Sequence, residues 1–123
     1  MAKSIMIIDD SVSIRKVLSL TLKSSGYEII EAEDGQDALD KLDALDGELN
    51  LIICDVNMPR MDGLTFARTI KSKNEFRFIP IIMLTTESGE DKKEEGMEAG
   101  VRAWVTKPFQ PQQMISAVSR LIT

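Results

Sequence analysis

Five short apolar runs separated by longer amphipathic stretches set the tightest limit on how this chain can fold. The runs cover residues 5–8, 28–31, 51–54, 79–84 and 103–105. Each has strand length, and most lack the alternation of a half-exposed strand, so they are expected to be buried on both faces. Between them apolar residues recur at helical spacing: Ile14, Val17, Leu18 and Leu22; Ala38, Leu42 and Leu45; Phe66, Ala67 and Ile70; Met114, Ile115, Val118, Leu121 and Ile122. Ser11, Asp34 with Asp37, and Ser88 with Asp91 supply cap chemistry, and Pro111 suits a first helical turn. Gly26, Gly47 and Gly100 mark expected helix ends.

Strands alternating with helices predict a five-stranded parallel sheet with five helices on its two faces, because parallel neighbours need right-handed crossovers. The expected fold class is α/β, doubly wound. At 123 residues the chain is expected to form one domain, 1–123, with no effector domain.

Composition removes several functions. With 15 Lys and Arg against 20 Asp and Glu, the formal charge is −5, which disfavours nucleic acid and anionic membranes as partners. The apolar stretch at 5–8 is too short for a signal peptide or a membrane span, so a cytoplasmic location is expected. A single cysteine, Cys54, permits no internal disulfide and reads as a small buried hydrophobe. Histidine is absent, which excludes Ser-His-Asp and Cys-His catalysis. Chemistry here has to run on carboxylates, hydroxyls and lysines.

The placement of the aspartates is the informative feature. Asp9 and Asp10 follow the first run, and Asp55 follows the third. In a parallel sheet all three gather outside the strand C-termini; with strand order 2-1-3-4-5, strands one and three are neighbours at the switch point where such folds bind ligands. Three crowded carboxylates repel unless a cation compensates them, and Mg²⁺ suits oxygen ligands beside a phosphate. Taken alone, Asp9-Asp10 reads equally well as a solvated turn capping the first helix. The fourth run delivers Thr85 to the same edge, the fifth delivers Lys107, and the Pro and Asp-Gly signals after Asp55 end its strand and leave the acid accessible.

The ordered set Ile8-Asp9-Asp10, Cys54-Asp55-Val56-Asn57-Met58-Pro59 with Met61-Asp62-Gly63, Leu84-Thr85 and Lys107-Pro108-Phe109 resembles a response-regulator receiver domain over essentially the whole chain, most of all the stand-alone chemotaxis regulators. That resemblance implies a flavodoxin-like fold and a two-component phosphoprotein in signal transduction. It implies that Asp55 is the phosphoacceptor, taking a phosphoryl group from the phosphohistidine of a histidine kinase and forming an aspartyl phosphate. It further implies magnesium held by Asp10, Asp55, the Asn57 backbone carbonyl and, through water, Asp9. Lys107 pairs with Asp55 and then with the phosphoryl group, Thr85 binds the arrived phosphate, and Lys107-Pro108 is cis. Asn57 and Glu87 tune phosphoryl lifetime, which is expected to be short.

Thr85 and Trp104 are the implied switch, with Trp104 turning inward on activation and Thr86 crowding its pocket. The charged segment 88–97, with Met97 its only large apolar anchor, reads as a solvated helix that also shifts readily. With strand five and the last helix it forms the implied surface for a downstream protein; a phosphatase is a further possible partner and a monomer is expected. On this reading the chain is no enzyme beyond catalysing its own phosphorylation and dephosphorylation. The competing readings are a Mg²⁺-dependent phosphatase of haloacid-dehalogenase type and a phosphate-independent interaction module. The first fits less well because Asn57 stands where those enzymes resemble a second Asp.

Overall fold

Isoleucine and leucine dominate the inner strands, where β-branched side chains pack well on a pleated surface. A computed structural model describes residues 3–45, 47–86 and 96–122. In chain order the elements are β1 (Ser4–Ile8), α1 (Val12–Ser24), β2 (Glu28–Ala32), α2 (Gly35–Asp43), β3 (Leu51–Asp55), α3 (Gly63–Lys71), β4 (Ile81–Thr85), β5 (Val101–Thr106) and α4 (Pro111–Leu121). The sheet is parallel throughout, in the order β2-β1-β3-β4-β5. The helix expected over 88–97 lies largely outside the described residues, along with its Ser88 and Asp91 caps; residues 96–98 are helical.

The unbroken apolar runs hide a period of two, because the sheet has a core on each face. Ile5, Ile7, Leu51, Ile53, Ile82 and Leu84 meet Leu18 and Leu22 of α1 and Met114 and Val118 of α4. Met6, Ile8, Ile52, Cys54 and Met83 meet Ala38 and Leu42 of α2 and Phe66, Ala67 and Ile70 of α3. β1, β3 and β4 are therefore buried on both sides apart from the partly exposed Ser4. The same expectation fails for β2 and β5: most of β2 is only half-buried, and Arg102 and Thr106 of β5 are exposed. These are the edge strands, with a neighbour on one side only and incomplete helical cover.

Local chemistry sets the ends. The Ile14 N–H donates to Ser11 Oγ at 3.3 Å, and the Asp37 N–H to Asp34 Oδ1 at 2.9 Å. Pro111 occupies the first turn of α4, and Gly26, at φ +95°, closes α1 in a left-handed conformation. α2 stops at Asp43, ahead of the expected Gly47. β4 begins at Ile81 instead of residue 79 because Pro80 has no N–H; its carbonyl still accepts from the Ile52 N–H at 3.0 Å. Among the described residues no helix is long and apolar enough to cross a membrane.

Phe66 is fully buried and joins α3 to the sheet. Phe66→Ala is expected to lower the unfolding free energy by about 3–5 kcal/mol. A urea denaturation series measures this, and a loss below about 1 kcal/mol would mean that α3 does not pack as described.

Candidate functional site

Parallel strands all end at one edge, and there the sheet collects its acids. Ile8 of β1 pairs with Cys54 of β3, so Asp9 and Asp55 leave adjacent strands side by side. Carboxylate oxygens of Asp9, Asp10 and Asp55 all lie within 4.8 Å of one another. Asp9 is fully buried and Asp55 is 6% exposed, whereas Asp10 faces solvent. Asp55 is thus less accessible than its position before a Pro-containing loop implies: Val56, also buried, continues the ladder by donating to the Leu84 carbonyl at 3.0 Å. The acid is the floor of a cleft whose rim carries Asp10.

Lys107 makes this arrangement possible. Its Nζ stands 3.1 Å from Asp9 Oδ2 and 3.3 Å from Asp55 Oδ1, on a side chain only 15% exposed. The sequence reading gave it Asp55 alone; it bridges both acids. Its own N–H donates to the Thr85 carbonyl at 2.8 Å, and the following Lys107–Pro108 peptide is cis. The other oxygen of Asp9 accepts from the Ser11 N–H at 2.8 Å, so both Asp9 oxygens are already engaged. Burial, followed by the charge of Asp9, pushes the Asp55 carboxyl above its ordinary value, while Lys107 and the Asn57 N–H oppose that rise.

Three carboxylates against one ammonium leave an excess of two negative charges at the cleft. That excess and the all-oxygen donor set fit a hard divalent cation. Cys54 is buried beside Asp55, and desolvation with the nearby acids raises its thiol well above the usual range, so it stays protonated and inert.

The remaining predicted residues are distributed as follows. Thr85 ends β4 at 1% exposure, one residue beyond the Asp55–Leu84 pair. Asn57 is exposed on the loop above Asp55, and Glu87 lies outside the described residues. Trp104 pairs with Met83 in register and is half-buried against the core beneath α2 and α3, with its indole Nε1 buried and unpartnered. Its ring lies against Gly96, where a Cβ would stand 2.2 Å from the indole. Met97, expected to anchor that helix, is 73% exposed; the small buried residue Ala99 holds the segment instead.

Two supports went unread in the sequence. Arg15 donates to the Asp9 carbonyl at 2.6 Å and pairs with Glu31 at 3.2 Å, and no local pattern marks it. Gly63 follows the Asp62 cap of α3 and lies so close to the acid that a Cβ would meet the Asp55 carbonyl oxygen at 2.3 Å. The Asp-Gly pair signals a turn there, but the close approach is tertiary.

The response regulator receiver domain family matches residues 5–119. The chain is 41% identical over 109 residues to chemotaxis protein CheY1 of Helicobacter pylori strain J99, spanning 88% of this chain and 87% of that protein. With protein PilG of Pseudomonas aeruginosa it shares 38% over 114 residues, 93% of this chain and 83% of PilG. The structure of Vibrio cholerae chemotaxis protein CheY4 superposes with a TM-score of 0.93 at 38% identity, covering 99% of this chain and 100% of that one. A receiver domain of the P. aeruginosa sensor histidine kinase PA1611, with a magnesium ion coordinated in its active site cleft, gives 0.87 at 25% identity and 98% coverage of each chain.

Because the folded Asp55 carboxyl titrates above its unfolded value, its ionised form opposes folding. The stability it contributes is complete below the unfolded value and lost as pH rises through the folded one. In buffer free of divalent cations, Asp55→Asn is therefore expected to raise the urea midpoint at pH 7, with the gain shrinking towards about pH 4. Equal midpoints at pH 7 would contradict the crowding described.

Proposed function

This chain belongs to the response-regulator receiver family, and on that premise we propose that it is a phosphoacceptor switch, phosphorylated on Asp55 by a histidine kinase. The single observation that carries the reading is Lys107 Nζ within 3.3 Å of both Asp9 and Asp55, beside the exposed Asp10. An oxygen of the Asp55 carboxylate attacks phosphorus as the P–N bond of the donor phosphohistidine breaks, leaving an acyl phosphate. Burial makes Asp55 more basic than a solvated aspartate, which strengthens it as a nucleophile.

Asp10, Asp55 and the Asn57 carbonyl would hold Mg²⁺ directly. Asp9, both of whose oxygens already bond within the protein, would act through water. An ion held there would offset negative charge on the transferring group. Lys107 holds the unphosphorylated acid in place and has a third ammonium proton to offer a phosphoryl oxygen. Thr85, at the tip of β4, receives the new phosphate through its hydroxyl and draws its loop towards the site.

Trp104 would report this movement. Its ring is half-buried and its buried Nε1 bonds to nothing, so no hydrogen bond locks the present position. Asn57 and Glu87, two residues along the chain from Asp55 and Thr85 respectively, would tune the phosphoryl lifetime and make it short. Output would pass through β5, α4 and the preceding charged segment to a protein target. The similarity to chemotaxis protein CheY1 supports a chemotaxis-type pathway, and the proposed place of action is the cytoplasm.

Acetyl phosphate with Mg²⁺ is expected to add one labile phosphoryl group, seen by intact-mass spectrometry and absent in Asp55→Asn. Repeated turnover would instead indicate a phosphatase, and no modification a phosphate-independent module. A phosphorylated species persisting for many hours at neutral pH in Mg²⁺ would contradict the short lifetime. Mg²⁺ followed by beryllofluoride is expected to change the fluorescence of Trp104, the only tryptophan. An unchanged signal in protein that accepts phosphate would remove Trp104 from the switch.

A further inference from the structure

The loop between Asp55 and α3 carries two neighbouring residues that the proposed reaction leaves unused. Arg60 sits at φ 65°, a left-handed conformation that a long side chain rarely adopts. Its guanidinium grips Asp34 through two hydrogen bonds, Nε to Oδ2 at 2.7 Å and Nη2 to Oδ1 at 3.0 Å. Asp34 is 3% exposed and caps α2. The next loop residue, Met61, presses on Gly35, where a Cβ would stand 2.9 Å from the Met61 Cβ, Cγ and Sδ atoms. Two consecutive loop residues are thus fastened to the two consecutive residues that open α2.

Only residues 56–59 separate the phosphoacceptor from this clamp, and one of them is Pro59, whose ring fixes φ. Asn57 lies in that short span, two residues beyond the acid, and its backbone N–H is one of the groups that hold the Asp55 carboxyl down against the rise caused by burial. We propose that Arg60 is a positioning residue. Its two-bonded pairing with Asp34, together with the Met61–Gly35 contact, fixes the Asn57 backbone beside Asp55 and so sets the affinity of the site for Mg²⁺. This rests on the metal reading above.

An exposed ion pair contributes little, but here one partner is almost wholly buried and the contact is forked, the geometry in which Arg and a carboxylate bind best. The buried Asp34 is in turn the cap of α2, so the loop is tied to a rigid element instead of to another loop. Arg60 beside it holds the Asp34 carboxyl below its usual range, as expected for a formed pair.

Arg60→Asn and Asp34→Asn, singly and together, test the clamp. Asn tolerates the left-handed backbone at position 60 and preserves the helix cap at position 34, so neither change attacks the fold directly. Two readouts are taken: amide hydrogen exchange at Asn57 by NMR, and the Mg²⁺ dissociation constant by calorimetry. Each single variant is expected to speed exchange at Asn57 and weaken Mg²⁺ binding by about fivefold, as the loss of one modest interaction would. The double variant is expected to be no worse than the stronger single. Exchange at Ile53, in the middle of β3, is expected to stay unchanged.

Unaltered Asn57 exchange in Arg60→Asn, additive effects in the double variant, or equal acceleration at Ile53 would overturn the proposal, the last by showing a global loss of stability. Faster Asn57 exchange with unchanged Mg²⁺ affinity overturns it too. If wild-type protein binds no Mg²⁺, the metal reading of the preceding subsection fails, and the exchange rates alone decide whether the clamp holds the loop.

Discussion

A buried ammonium between two buried carboxylates is the interaction on which the rest of this molecule depends. Asp9 and Asp55 end adjacent strands and are almost wholly removed from water. Two such charges side by side would otherwise drive protonation or separation of the strand ends. Lys107 directly follows β5, two strands away from β3, and spans that distance to meet both. Three separate strand tips are thereby tied into one cleft, and the charges gathered there reinforce the sheet order.

That arrangement leaves the site underneutralised, which matters for the proposed switch. Residual negative charge invites a cation, and a phosphoryl group would add more negative charge to the same place. The Lys107 ammonium then has partners to exchange, and Thr85 lies one residue past the Asp55–Leu84 pair. Around the cleft the supports are backbone-directed: Arg15 on the Asp9 carbonyl and Gly63 against the Asp55 carbonyl. Such contacts bear on the main chain and leave the carboxylate of Asp55 to Lys107. On the far side of β5, Trp104 rests on Gly96 without a hydrogen bond, a contact that packing alone maintains.

Much of the fold was legible because local rules and global topology agree. Ser11, Asp34 and Pro111 act where cap chemistry placed them, and the apolar runs are the strands. The departures have physical causes. β2 and β5 are partly open because they are edges, a property of strand order that no run of five residues encodes. Met97 points outward while Ala99 is buried, and the neighbouring Gly96 lies against the Trp104 ring with no room for a Cβ. Glu87 and most of the charged segment before β5 lie outside the described residues, so their assignment stays with the sequence.

From the residue order alone came the element types, the parallel sheet and the gathering of Asp9, Asp10, Asp55, Thr85 and Lys107 at one edge, because each follows from periodicity and from where a strand ends. Tertiary structure alone decided that Lys107 serves two acids and that Asp9 is buried while Asp10 is exposed. It alone decided, too, that Arg60 and Met61 fasten onto Asp34 and Gly35. These are contacts between residues far apart in the chain, and their distances depend on how two layers of helices settle on a twisted sheet. Local sequence carries the identity of each partner but not the separation between them.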